Sequence, residues 1–406
     1  ENSTFSTSLG YLDQTGMTIY SDYKRYNFRV NSSYKKGIFS LSENIAITHR
    51  DKTPTTAFNI SLPTLPIYDS EGRFFSGGGD YYINPEDGKA QNKIAPLHYT
   101  DRYNKVTDII GAVTAQLDLW DGLKYKFSFS SNYSNSHNYT HTPEYYTKWN
   151  EDGTPDQDYG SPKNSISESR GEEFTYTIDN LLTYSKTFAG HSIDALVGTS
   201  WMREYYRSMS LATINDLGGT EITGFSSVDG KISAGDSNAA LLSFFARLNY
   251  DYKDRYLLSA SIRRDESSKF YKDNRVGYFP SVSAGWNAHQ ESWFANPVVS
   301  KLKIRASYGE LGANFLSPYN FDAIAYGPIP YTLGGVRYTS GRAAYLKSRE
   351  LKWETAKTTD IGLELGFLNN DLTVQVDYFV KKNVDLLAQI DLNLSSGQIF
   401  EINSSR

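Results

Sequence analysis

Alternation of apolar and polar residues, repeated from hairpin to hairpin in matching register, is the feature that most limits how this chain can fold. In the segment 109–133, Val113, Ala115, Leu117 and Leu119 fall on one face and Thr114, Gln116 and Asp118 on the other. Trp120-Asp121-Gly122 then reads as a three-residue turn whose glycine can take positive φ. On the return, Leu123, Tyr125, Phe127 and Phe129 alternate with Lys124, Lys126, Ser128 and Ser130. Folding about the turn pairs Leu119 with Leu123, Leu117 with Tyr125, Ala115 with Phe127 and Val113 with Phe129. Both apolar sets land on one side, which a one-residue slip would destroy.

The same test succeeds elsewhere. Phe244, Ala246, Leu248 and Tyr250 turn near Tyr252–Arg255 and return as Leu258, Ala260 and Ile262. Ile361, Leu363, Leu365 and Phe367 turn near Leu368–Asp371 and return as Leu372, Val374, Val376 and Tyr378. About 13 strands are expected on this basis. Short connections fall near Tyr34–Gly37, Trp120–Gly122, Ser185–His191, Asp251–Arg255 and Leu368–Asp371, with a longer link at Asn287–Ser300. Between them lie long polar connections: Asp51–Asp108, Ser134–Glu172, Tyr205–Asn238 and Glu310–Lys352, with Asp265–Gly277 of moderate length. In an up-and-down barrel successive turns alternate between rims, and outer-membrane barrels put short turns on one rim and long loops on the other.

Composition fits that reading. Aromatics make 15% of the 406 residues, yet mean hydropathy is -0.52, as expected of surfaces half wet and half apolar. No stretch approaches the ~20 apolar residues of a membrane helix, whereas a membrane strand needs only about 9–11 alternating ones. A net charge of -5 leaves no basic excess for nucleic acid. The absence of cysteine removes disulfides and thiolate chemistry. The fold class expected is all-β, a transmembrane antiparallel up-and-down β-barrel with long extracellular loops. Residues 1–406 read as an incomplete barrel domain, with further strands and any plug expected outside them.

Loop aromatics are the candidate ligand-binding residues: Tyr81, Tyr82, Tyr145, Tyr146, Trp149, Tyr326 and Tyr331. Sugar rings and peptide side chains both stack on flat aromatic faces. Tyr11, Tyr26, Trp286 and Tyr308, near strand ends, read instead as an interfacial girdle. Arg247, Arg263 and Arg305 fall on the polar face and are expected to line the lumen. Asp152, Asp156 and Asp158 offer a weak calcium candidate, since calcium takes oxygen ligands in flexible loops. No other cofactor is expected. His137 and His141 are read as members of a solvated loop rather than metal ligands. No GxSxG, HExxH or Walker sequence occurs, so no catalytic residue is expected.

Three segments carry a family resemblance: 248–286 (LNYDYKDRYLLSASIRRDESSKFYKDNRVGYFPSVSAGW), 302–312 (LKIRASYGELG) and 351–387 (LKWETAKTTDIGLELGFLNNDLTVQVDYFVKKNVDLL). YLDQTGM and YKRYNFRVN in 11–31 add a weaker match. Together they resemble the SusC/RagA family of TonB-dependent outer-membrane transporters. Glu266, Val276 and Ala313 depart from the family's usual Gly, Trp and Asn. The resemblance implies a barrel of about 22 strands around a plug. It also implies a SusD-like surface lipoprotein as partner and the TonB–ExbB–ExbD system acting through a plug region outside these residues. The implied cargo is a nutrient oligomer, oligosaccharide preferred over oligopeptide because of the Tyr/Trp-rich loops. A surface adhesin or ligand-binding β-rich module is the alternative, and a siderophore-type TonB-dependent receptor the next. An outer-membrane enzyme is the least supported.

Overall fold

The computed structural model describes residues 2–55, 66–78, 89–90, 92–214, 231–319, 325–343, 345–346, 349–391 and 399–404. For 77–78, 89–90, 214, 325–331, 338–343, 345–346, 389–391 and 399–404 the backbone path alone is described. Thirteen strands form one antiparallel sheet in which sequence neighbours are spatial neighbours throughout. They are β1 (Asn2–Thr15), β2 (Asp22–Lys36), β3 (Phe39–Lys52), β4 (Asp101–Trp120), β5 (Leu123–Thr142), β6 (Ser165–Phe188) and β7 (His191–Ile214). Then follow β8 (Lys231–Tyr252), β9 (Tyr256–Ser267), β10 (Val276–Asn287), β11 (Val299–Ala313), β12 (Glu354–Phe367) and β13 (Leu372–Val384). β1 and β13 are the two edges of the sheet.

Connections alternate in length as expected. One rim carries the tight turns β2–β3, β4–β5, β6–β7, β8–β9 and β12–β13, plus the 288–298 link. At β6–β7, Ala189 and Gly190 both have positive φ (48° and 81°). That combination gives a two-residue turn whose twist matches the strands it joins. The other rim carries the long connections 53–100, 143–164, 215–230 and 314–353, and the shorter 16–21 and 268–275.

The registers confirm the shared faces. Leu117 faces Tyr125, Ala115 faces Phe127 and Val113 faces Phe129. The expected partnership of Leu119 with Leu123 is not found. Trp120 faces Leu123 instead, and the register shifts between Asp118 and Trp120. Leu119 is thus the extra residue of a bulge, and the turn shrinks to Asp121-Gly122.

Strand ends on the long-loop rim depart from the sequence expectation. β5 continues to Thr142 and β6 begins at Ser165, so both ends of the expected Ser134–Glu172 loop are sheet and the connection shrinks to 143–164. His137 and His141 therefore lie in a strand, not a loop. β4 and β5 have 20 residues each, β6 and β7 have 24, against about 9–11 needed to cross a bilayer. Cross-strand polar side chains hold the excess together. Asn138 bonds both Asn104 and Ser169 (3.1 Å to the latter). His137 Nε2 meets Glu168 Oε1 at 2.8 Å. Paired polar side chains stabilise a ladder that no apolar alternation announces.

The outward face is apolar and uncovered. Leu9, Ile262 and Val376 are 83%, 50% and 58% exposed, within a band far larger than the apolar patches of soluble proteins. Aromatics bound it on both sides. Tyr11 and Tyr26, 5.1 Å apart, lie toward the long-loop rim. Trp286 and Trp293, 6.2 Å apart, lie at the short-turn rim. That is the profile of a lipid-facing barrel wall. Buried apolar residues instead gather mainly at the long-loop rim, around Phe74, Leu97 and Tyr159, and around Phe270, Phe279, Leu351 and Trp353.

Candidate functional site

Two surfaces can meet a solute: the polar inner wall and the loop bodies above it. Arg247, Arg263 and Arg305 all project from the inner face. Cross-strand registers put Arg247 in one row with Ser261 and Ser281, and Arg305 in one row with Gly285, Gly362 and Asp377. Arg305 is already engaged: its Nη2 donates to Asp377, its Nη1 lies 3.5 Å from Asp360 and its Nε 3.7 Å from Glu364. Lys301 reaches Glu364 at 2.9 Å. Arg263 Nε donates to Asp265 at 2.7 Å and its Nη2 to Ser243 Oγ at 2.9 Å. Arg247 makes no ion pair among the described residues. Next to Arg305 the wall recedes into a hollow of ≈ 610 Å³ lined by Asp194, Asp251, Ser283 and Lys303 among others.

Above the wall, the described parts of connection 53–100 fold together with connection 143–164 into one body. Ser76, 1% exposed, ties them: its Oγ meets Thr147 Oγ1 at 2.6 Å and accepts from the Asn92 backbone N–H at 2.8 Å. Asn92 also starts the short helix α1 (Ala95–Tyr99), accepting from the N–H groups of Ile94 and Ala95. Phe74 is ringed by Tyr68, His98 and Tyr99 at 4.9–5.5 Å.

The expected loop aromatics Tyr145, Tyr146 and Trp149 come together here. Tyr145 stacks on Tyr99 at 4.7 Å, and burial beside that ring pushes its phenol up to about 12. Tyr146 donates to Glu144. Arg73 covers the Trp149 ring at 4.1 Å. One face of each of Tyr145 and Trp149 is therefore occupied by the protein itself. Tyr81 and Tyr82 lie outside the described residues. Tyr326 and Tyr331 lie on a strand (Ala325–Leu333) whose side chains at those positions are outside the description.

The acidic residues of the same body act as turn caps. Asp152 accepts from the Thr154 N–H at 2.9 Å and hydroxyl at 2.6 Å, which holds its carboxyl below the usual range. Asp156 pairs with Lys148 at 3.2 Å and accepts from the Asp158 N–H. Among the described residues no three of His, Cys, Asp and Glu gather around a point where a metal could sit.

Sequence reasoning missed one residue. Arg102, in the first turn-length of β4, shares the inner face with Asn104 and Asp108. It is only 9% exposed, and its Nε and Nη2 have no hydrogen-bond partner among the described residues. The signal was absent from the alternation, because the expected strand began only after Asp108.

With this geometry in place, comparison with known proteins is decisive. Residues 57–402 match the family model described as TonB dependent receptor-like, beta-barrel. The chain belongs to the TonB-dependent receptor family. That family comprises outer-membrane transporters, not enzymes. The chain is 27% identical to TonB-dependent receptor P26 of Formosa agariphila over 98% of its own length and 40% of that protein. It is 26% identical to TonB-dependent receptor SusC of Bacteroides thetaiotaomicron over 97% of its length and 41% of that protein. The chain is thus similar to SusC, as the sequence resemblance implies. It thus spans about two fifths of the curated relatives it matches. The solved RagAB peptide transporter superposes on 99% of the chain, and the chain on 45% of it, with a TM-score of 0.78 at 20% identity. That likeness concerns the fold.

Proposed function

We propose that this receptor barrel serves import of nutrient oligomers across the outer membrane, working with a SusD-like surface lipoprotein and driven through TonB. The observation that carries the reading is the two-sided wall: an apolar outer band and a hydrogen-bonding inner face that continues above the membrane into the loops. Asn104, Asn138, Ser169 and Thr140 on that inner face suit a cargo rich in hydroxyls and amides. Such groups exchange water hydrogen bonds for wall hydrogen bonds at little net cost. Oligosaccharide and oligopeptide both meet this chemistry. The Tyr- and Trp-rich loops favour the first, and the fold likeness to the RagAB peptide transporter stands beside the second.

A strain lacking the gene is grown on panels of oligosaccharides and oligopeptides as sole carbon or nitrogen source. Growth lost on one panel and restored by the intact gene, but not in a strain without TonB, is the expected result. Unchanged growth on every oligomer, with loss only under iron limitation, would favour the siderophore-type receptor instead. An adhesin ectodomain would dissolve without detergent, whereas this barrel is expected to require it.

A further inference from the structure

We infer that Arg102 is the anion-binding element of a cargo subsite at the extracellular mouth of the lumen, and that the cargo carries a carboxylate. This rests on the importer reading and narrows its substrate class. The guanidinium projects inward beside Thr140, its cross-strand partner, and one row above Asn104 and Asn138. It is 9% exposed, and two of its nitrogens are sealed from water without a hydrogen-bond partner among the described residues. An arginine stays charged in a protein, and a buried charge without a partner destabilises the fold that holds it. Burial is the one cause acting on this group.

The nearby acids are committed elsewhere. Asp101 and Glu168 stand on the outward face, and Glu168 is held between His137 and Arg170. Asp108, on the inner face, is held by Arg50 and the Ser134 hydroxyl. Contrast Arg305 and Arg263, whose own wall supplies their carboxylates. At Arg102 the wall supplies hydroxyls and amides instead: Thr140, Ser167, and the Asn104–Asn138–Ser169 ladder. The planar fork of a guanidinium matches a carboxylate with two parallel hydrogen bonds. A carboxylate that displaced the groups now covering those nitrogens would be desolvated there, with neutral side chains framing the rest of an oligomer. A uronic acid and a peptide C-terminus present the same group.

Two matched libraries separate those sources. One holds oligogalacturonates and their methyl esters. The other holds mixed short peptides with free or amidated C-termini. Each is passed over full-length wild-type protein in detergent, and the retained oligomers are quantified by mass spectrometry. The variants Arg102→Gln and Arg102→Lys are compared with Arg170→Gln, an outward-facing control. Folding is checked by heat-modifiable migration on gels.

In one library the wild type and R170Q are expected to retain the free acid over its neutral partner by about tenfold or more. R102Q is expected to abolish that preference and R102K to keep part of it. Equal retention of acid and neutral forms by the wild type in both libraries overturns the inference while leaving import intact. Loss of both forms in folded R102Q overturns it too, since Arg102 would then serve only loop packing. A wild type that retains nothing from either library counts against the importer reading, and the inference falls with it.

Discussion

The ring of Phe279 occupies the space that a side chain on Gly312 would need, and a Cβ at Gly312 would collide with the far edge of that ring. β10 and β11 stop pairing at Ser281 and Gly309, just short of this point. The ring enters the gap and meets Trp353 at 5.4 Å, which in turn meets Phe270 at 5.3 Å. With Leu351, 1% exposed, and the partly buried Leu316, these residues tie both ends of connection 314–353 to the neighbouring loop.

Gly312→Ala is therefore expected to push Phe279 out of the cluster, at about 1–3 kcal/mol, the usual cost of overpacking. Limited proteolysis between residues 314 and 353 should quicken. The added effect of G312A should vanish in a Phe279→Ala background, because neighbouring sites that share one clash are not additive. Additive effects would sink the account.

Ser76 offers a second test, of the loop body. Its hydroxyl accepts from the Asn92 backbone N–H, which has no other acceptor among the described residues, and it also bonds Thr147. Ser76→Ala is expected to leave both groups wanting, at about 1–3 kcal/mol. Hydrogen exchange should rise at 66–78, 92–99 and 143–161 while the mid-strand amides of β4 and β5 stay protected. Uniform protection in the variant would show that the two connections do not depend on this tie.

The assignment of faces is open to a direct comparison on β10. Ala284 lies outward and Ser283 inward, one residue apart. An arginine on the lipid face costs about 2–4 kcal/mol at the bilayer centre and about 0–1 near an interface, and Ala284, one same-face step from Trp286, falls between the two. Ala284→Arg is expected to lower the folded fraction on refolding into vesicles, and Ser283→Arg to leave it near wild type. Equal losses would mean that lipid does not meet one face alone, and a loss confined to Ser283→Arg would mean that the two faces are exchanged.

That face assignment was legible in the sequence because it depends only on period two. The pairing of Leu117 with Tyr125, or the shared inner face of Arg247, Arg263 and Arg305, follows once the turns are found. Bulges hide from such reasoning. Leu119 is as apolar as its neighbours, and nothing in the pattern says that it is the unpaired residue. Extensions above the membrane hide as well. Along Asn135–Thr142 both faces are polar, so alternation fades although the ladder persists through pairs such as Asn138 with Ser169. Arg102 was lost for that reason. Tyr145, Tyr146 and Trp149 were legible as a cluster, but a stack on Tyr99 or a cover by Arg73 joins segments far apart in the chain. No local pattern reports such a partnership.

Glu291, in the link between β10 and β11, supplies a pH test. Its Oε1 accepts from the Tyr256 hydroxyl at 2.6 Å and from the Trp286 indole N–H at 3.1 Å, and Arg255 lies 3.4 Å from Oε2. Those hydrogen bonds, with the Arg255 charge, hold its carboxyl below its ordinary 4.5. A carboxyl lowered on folding stabilises the native state fully above that ordinary value. Its contribution is lost as pH falls through the lower, folded value. Wild type should therefore melt above Glu291→Gln at pH 7, and the gap should close as pH is taken from about 4.5 downward. Trp286 is part of the same contact, so its fluorescence should shift over the same interval in the wild type and stay flat in the variant. A gap that persists unchanged to pH 3 would place the stabilisation in packing rather than in the charged form of Glu291.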